Sequence, residues 1–265
     1  MLKIYLRFWQ VNWAEQWQYR ANLLMYLLYW IVSPIVYLAI WVTIANSKGS
    51  VNGLTANDFI TYYLTLLLVN MLTGEITIYL LASKIQDGTL AGDLLRPVHP
   101  ILTSSLVYNF TMKALNLIFF IPIWLVLCLL FRPDYSSVTP TSLLLALPAI
   151  LLGFWLSFLF GAIITCLAFW TTRVYSIYQF FYLVIMLLSG QFVPLQLMPP
   201  SIQGISQFLP FQMFCFVPIE IIHNRLPMDV LLRDYAIALL WLVIFYFLFR
   251  WVWREGVKRF SAVGA

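Results

Sequence analysis

The sequence predicts an all-α polytopic membrane protein, and three observations carry that expectation. Hydrophobic residues make up 63% of the chain and charged residues only 9%, and the mean hydropathy is +0.89, outside the range of soluble domains. Six mostly apolar windows, at about 22–45, 59–82, 112–131, 142–169, 174–193 and 231–250, approach or exceed the roughly 20 residues that a spanning helix needs. The alternating pattern of a membrane barrel is missing. Without water in the hydrocarbon, backbone groups must be satisfied within the segment, so these runs predict helices.

Residues 1–20 precede the first window and predict an interfacial amphipathic helix. Tyr5, Phe8, Trp9, Trp13 and Trp17 interleave with Lys3, Arg7, Gln10, Asn12 and Gln16, a mixture suited to the headgroup boundary. The stretch lacks the compact apolar core and small-residue cleavage site of a signal peptide. A plain membrane anchor is the simpler reading of the same pattern. Residues 21–265 then form one transmembrane domain, with no room for a soluble catalytic domain.

Charge sets the expected orientation. With the N-terminus inside, eleven basic residues (Lys3, Arg7, Arg20, Lys84, Arg96, Lys113, Arg173, Arg250, Arg254, Lys258 and Arg259) fall on the cytoplasmic side and four (Lys48, Arg132, Arg225 and Arg233) outside. This positive-inside bias places both termini in the cytoplasm. The net charge of +5 therefore reads as headgroup anchoring by membrane lipids, with no nucleic-acid partner.

Two connections stand out. The inner loop Ser83–Pro100 contains Gly88, able to end the preceding helix, and Thr89, able to cap a new one. Asp93 and Arg96 lie toward the start and end of that helix, and Pro97 stops it after about two turns. Leu90 and Leu94 share a face, with Leu95 beside them. Such a helix can dock in a partner's groove or rest on lipid. The outer segment Gly190–Asp229 holds six of the chain's 13 prolines and is nevertheless strongly apolar. It predicts short helical pieces entering and leaving the outer leaflet, either beside a substrate path or as a packed lid. Phe208, Phe211, Met213 and Phe216 are the path candidates, and Glu220 is a candidate for an outer vestibule.

Catalytic chemistry is hard to find. There is no GxxxxGK[ST], HExxH or GxSxG motif, so the chain binds no ATP through a P-loop and offers no catalytic set. Cys128, Cys166 and Cys215 are isolated, and His99 and His223 fall on opposite sides, which leaves no metal site. Glu75 is the one ionisable residue well inside a span, roughly 10 Å from the inner end if that end is Ala82. Burial demands a partner, and Lys113 or Arg173 lies at comparable depth. A structural ion pair is the plain reading, and a proton relay or cation site the sharper one. The tight turn around Arg173 favours a structural role there.

The pattern of amphipathic N-terminal helix, six spans, helical inner loop and broken apolar hairpin resembles the ABC-2 type permeases. Lys84-Ile85-Gln86-Asp87-Gly88-Thr89-Leu90 through Asp93-Leu94-Leu95-Arg96-Pro97 is similar to the inner loop of a small six-span bacterial branch near the daunorubicin-type exporters. The resemblance implies a coupling helix made of Thr89, Leu90, Asp93, Leu94, Leu95 and Arg96. It implies a separate ATPase subunit in two copies, which holds ATP and magnesium, and a second permease of the same or a paralogous kind. The chain itself would be no enzyme. It would sit in the bacterial cytoplasmic membrane and export an amphiphilic, lipid-like or drug-like cargo. A secondary transporter or channel, a membrane-embedded enzyme and a scaffold are the competing expectations.

Overall fold

A computed structural model describes residues 2–18 and 20–261, without the side chains of residues 2–5, 20, 22, 23 and 29. The expectations for the Lys3, Tyr5 and Arg20 side chains lie outside the described residues. No strand occurs among those described.

The first helix described is α1 (Leu2–Gln18), which packs on the first half of a later helix. Gln16 Nε2 donates to the Tyr108 hydroxyl at 2.9 Å, and Trp17 stacks on Phe119. Helix α2 (Arg20–Lys48) is the first span. Helix α3 (Ala56–Thr73) opens with a capping box, in which the Thr55 side chain accepts from the Asp58 N–H and Asp58 returns a bond to the Thr55 N–H. After a break at residues 74–76 the helix resumes as α4 (Thr77–Gln86). Gly88, at φ +76°, ends it, and the short α5 (Leu90–Leu94) follows.

A wide turn, Ile101–Leu106, leads into α6 (Val107–Phe131). The third apolar segment therefore runs from Ile101 to Phe131, eleven residues earlier at its start than its most apolar window indicates. Helix α7 (Pro140–Cys166) starts with Pro at its first turn beneath a Thr139–Ser142 capping box and continues as the tight turn Leu167–Phe169. Next come α8 (Val174–Leu188), α9 (Pro200–Ser206), α10 (Phe216–Ile222) and α11 (Met228–Arg259).

Among the described residues, five segments are long and apolar enough to cross a membrane, and α8, at 15 residues, is shorter than that. The expected fifth span, 174–193, is thus cut short. Gly190 takes φ +81°, and a Cβ there would lie 2.8 Å from the Tyr62 hydroxyl, so the chain turns where an ordinary helix would continue. The turn is held because Tyr62 donates to the Gly190 carbonyl at 2.7 Å and Phe216 N–H donates to the Ser189 carbonyl at 3.0 Å.

Helix α7 is central, packed against α3, α4, α10 and α11. Its spacing of small residues explains the closeness. A Cβ on Gly153 would sit 2.5 Å from the Met213 carbonyl oxygen. Gly161 lies two turns further along the same face, with Ser157 between them. Outward-facing apolar side chains, such as Val32, Leu129, Leu144 and Phe247, suit a hydrocarbon surround.

The outer hairpin is a string of short helical pieces, as its prolines predict, but it is stitched into the bundle. Tyr63 donates to the Phe192 carbonyl at 2.7 Å. Ser142 donates to the Ile222 carbonyl at 2.8 Å, and Asn224 to the Ser137 carbonyl at 2.7 Å. Arg225 reaches Asp58 at 3.3 Å. At the opposite end, Gln86 donates to the Thr172 carbonyl at 3.2 Å, His99 packs on Trp253, and the Arg259 guanidinium lies over Trp170.

Candidate functional site: a broken helix and a braced inner loop

The break between α3 and α4 brings the buried Glu75 and the half-buried Lys113 into one region of the bundle. Gly74, in an extended conformation (φ −59°, ψ 155°), ends α3, and three side chains take up the backbone groups that the break frees. The Lys113 ammonium donates to the Met71 carbonyl at 3.1 Å and to the Gly74 carbonyl. Asn109 Oδ1 accepts from the Ile76 N–H at 3.2 Å. Glu75 Oε2 accepts from the Thr77 N–H at 2.6 Å. The negative end of α3 thus faces an ammonium and the positive end of α4 faces a carboxylate, the arrangement that the helix dipoles favour.

Of the two partners expected for Glu75, Lys113 or Arg173, neither makes a direct ion pair with it, although the Lys113 charge acts on the Glu75 carboxylate. Lys113 is taken up by backbone carbonyls and lies 5.0 Å from the Phe154 ring centre. Arg173, in the turn before α8, forms no ion pair with Glu75. Glu75 also lies farther from the end of its segment than expected. Helix α4 runs to Gln86, which puts Glu75 about 16 Å from that end at 1.5 Å per residue.

Glu75 is only 7% exposed and presses on α7 at Gly161, where any side chain would overlap its carboxyl group. Its other side faces a cavity of about 640 Å³ lined by Met25, Tyr26, Trp30, Ile76, Tyr79, Tyr178, Gln179 and Tyr182. Sequence reasoning picked out Glu75 and missed this aromatic wall and the α7 glycine against which Glu75 presses. The Gly153–Ser157–Gly161 spacing was a readable signal for that close packing.

The inner loop is braced by one carboxylate. Asp93 accepts from Lys84 Nζ at 2.7 Å and from Ser104 at 3.0 Å, and lies 3.1 Å from Arg96 Nη1. Burial pushes its carboxyl up, but these hydrogen bonds and charges outweigh burial and hold it below the ordinary Asp range. Thr89 makes no side-chain cap. The turn at Gly88 already starts the coil, so Thr89 has helical backbone angles where a cap needs extended ones. Leu90 is fully buried in the chain's own core and Leu94 is half-buried, whereas Leu95 is 89% exposed. Leu95 and Arg96, with Thr89 and Gly92, form the outward edge.

The hairpin candidates do not share one cavity. Phe208 is exposed, and its carbonyl accepts from the Trp241 indole at 2.8 Å. Phe211 packs edge-on against Phe160 and Phe214. Met213 is buried over Gly153. Phe216 lines an outer cleft of about 400 Å³ with Leu195, Gln203 and Gln212. Glu220 is buried, with Oε1 3.9 Å from Arg225 Nη1.

A family model described as ABC-2 family transporter protein matches residues 21–264. No curated protein matches the chain.

Proposed function

Given that the chain belongs to the ABC-2 family of transporter proteins, whose permeases generally work with ABC ATPase subunits, we propose that it is the membrane subunit of an ATP-driven exporter of amphiphiles. In this reading ATP and magnesium are held by two copies of a partner ATPase, and a second permease, identical or paralogous, completes the complex. Helix α8 and the turn after it complete a sixth crossing, both termini are cytoplasmic, and the membrane is the bacterial inner one. The chain carries out no chemistry of its own.

The braced inner loop is the observation that carries the reading. A five-residue helix is too short to hold itself together, yet Asp93 clamps it to α4 and to the start of the third apolar segment through Lys84 and Ser104. Clamping leaves Leu95 and Arg96 exposed on a rigid edge. An exposed apolar side chain beside a fixed cation suits a protein groove that must push on the permease.

Co-purification tests it. A tagged chain expressed with its neighbouring genes should retain an ATPase, and Leu95→Asp should lower that retention at least about tenfold, since a desolvated charge costs more than the apolar contact it replaces. The variant should keep its melting temperature, because Leu95 is 89% exposed. Absence of an ATPase from the wild-type complex would reject the proposal. The discontinuous α3–α4 helix gives a secondary transporter some standing. Transport that survives ATP depletion and stops with the proton gradient would favour it.

A further inference from the structure

The cavity beside Glu75 has an uneven chemistry. Its walls are rings, chiefly Tyr26, Trp30, Tyr79, Tyr178 and Tyr182, and Glu75 is the one charged lining residue among those described. Among the described residues no basic side chain lines it. Lys113 faces an adjoining narrow cleft that shares Tyr26, Trp30 and Ile76 with the cavity; its charge acts on Glu75, but its ammonium is engaged by the Met71 and Gly74 carbonyls. Aromatic faces carry negative potential that attracts cations, and a carboxylate away from water strengthens that preference. A volume of about 640 Å³ falls within the range of drug-sized sites.

We propose that this cavity binds a hydrophobic organic cation, with its positive centre directed at Glu75 and its apolar body against the rings from α2, α4 and α8. This rests on the exporter reading and names its cargo class. Three separately held elements supply the site. Helix α2 brings Trp30, whose ring would stand 2.9 Å from a Cβ on Gly74. Helix α4 brings Tyr79, whose ring lies 6.1–6.2 Å from those of Tyr175 and Tyr178. Helix α8 brings Tyr178 and Tyr182. The break itself supplies the charge, because Glu75 is fixed by the Thr77 N–H at 2.6 Å. An anion of equal size and greasiness would meet the same walls and be repelled by the floor.

Tetraphenylphosphonium and tetraphenylborate are such a pair. Binding of each to the full chain in lipid nanodiscs, net of empty discs, should favour the cation by at least about tenfold. Glu75→Gln should erase most of that preference, and Tyr79→Leu, at a residue 46% exposed, should weaken cation binding about three- to tenfold. Discs of phosphatidylglycerol alone, compared with discs containing phosphatidylethanolamine, separate a free cation from a headgroup amine, since only the latter lipid would displace the probe. Equal binding of the two ions, or a folded Glu75→Gln protein with unchanged preference, overturns the site. If Glu75→Gln does not fold, the wild-type preference and Tyr79→Leu decide. Loss of cation preference with the ATPase still co-purifying refutes the cation site alone. An intact preference without an ATPase refutes the exporter reading alone.

Discussion

Replacing Gly161 with Ala sets two effects of opposite sign against each other. Alanine is favoured over glycine inside a helix by about 1 kcal/mol, so the change would ordinarily stabilise α7. Here the added Cβ lands on the Glu75 carboxyl group, with even the farthest of its three nearest atoms, Oε2, only 2.6 Å away. The carboxylate cannot swing aside cheaply, because Oε2 accepts the Thr77 N–H at 2.6 Å and so caps α4. Overpacking of this kind costs about 1–3 kcal/mol, and loss of the cap adds about 1 kcal/mol. The overlap should therefore win, with a net loss of about 2 kcal/mol. In a Glu75→Ala background the space is vacant and the helix preference should show, so Gly161→Ala becomes neutral or mildly stabilising. The coupling between the two sites is then about 2–3 kcal/mol, large for one contact. Unfolding in mixed micelles of dodecyl maltoside and SDS, followed by circular dichroism, gives the four values of the cycle. Equal effects of Gly161→Ala in both backgrounds would refute the packing described.

Two further outcomes follow from the same geometry. Lys113→Met keeps the side-chain volume but strands the Met71 and Gly74 carbonyls, so the same unfolding assay should show a loss of about 1–3 kcal/mol, and wild-type stability would mean the ammonium does not close the break. Asp93 has a carboxyl held below its ordinary value of 3.8, so its brace contributes stability at neutral pH that fades as the pH falls through and below that value. Asp93→Asn should therefore lower the melting temperature at pH 7, by the equivalent of about 1–2 kcal/mol given that Lys84 and Arg96 are partly in water, and the gap from wild type should narrow in acid. A gap that widens in acid would reverse the sign and exclude the brace.

Much of the architecture was legible because lipid leaves a chain few options. Each long apolar run proved helical, one of them as the two helices α3 and α4, and the prolines between Gly190 and Asp229 gave short pieces as their fixed φ requires. The misreadings share a cause. Glu75 and Lys113 were paired on depth, but the break at Gly74 makes backbone carbonyls available, and an ammonium finds these as readily as a carboxylate. No periodicity announces that break, since residues 59–82 read as one apolar run. Likewise Leu90 and Leu95 are equivalent in a list of leucines, and only the fold of Lys84 and Ser104 around Asp93 decides that one faces inward and the other outward. The short α8 was overestimated because Ser189–Val193 contains enough apolar residues to extend the run, while Gly190 turns the backbone through a tyrosine from another helix. The small-residue face of α7 was present in the sequence all along as Gly153, Ser157 and Gly161.

The interruption at residues 74–76 also has a mechanical consequence. The outer half, α3, is fastened to the hairpin through Tyr62, Tyr63 and Thr73, and the inner half, α4, is fastened to the loop beneath it through Lys84. The two halves therefore belong to different layers and meet at a joint with no continuous ladder of helical bonds across it. Helix α4 spans ten residues, so it is a lever about 15 Å long. A tilt of about 10° at the joint would carry the loop end through roughly 2.6 Å while leaving every tyrosine stitch in the outer layer intact. The same tilt would move Tyr79 relative to Trp30, changing the width of the aromatic cavity whose floor is the joint itself. A push delivered at Leu95 and a grip exerted around Glu75 would then be two ends of one rigid rod.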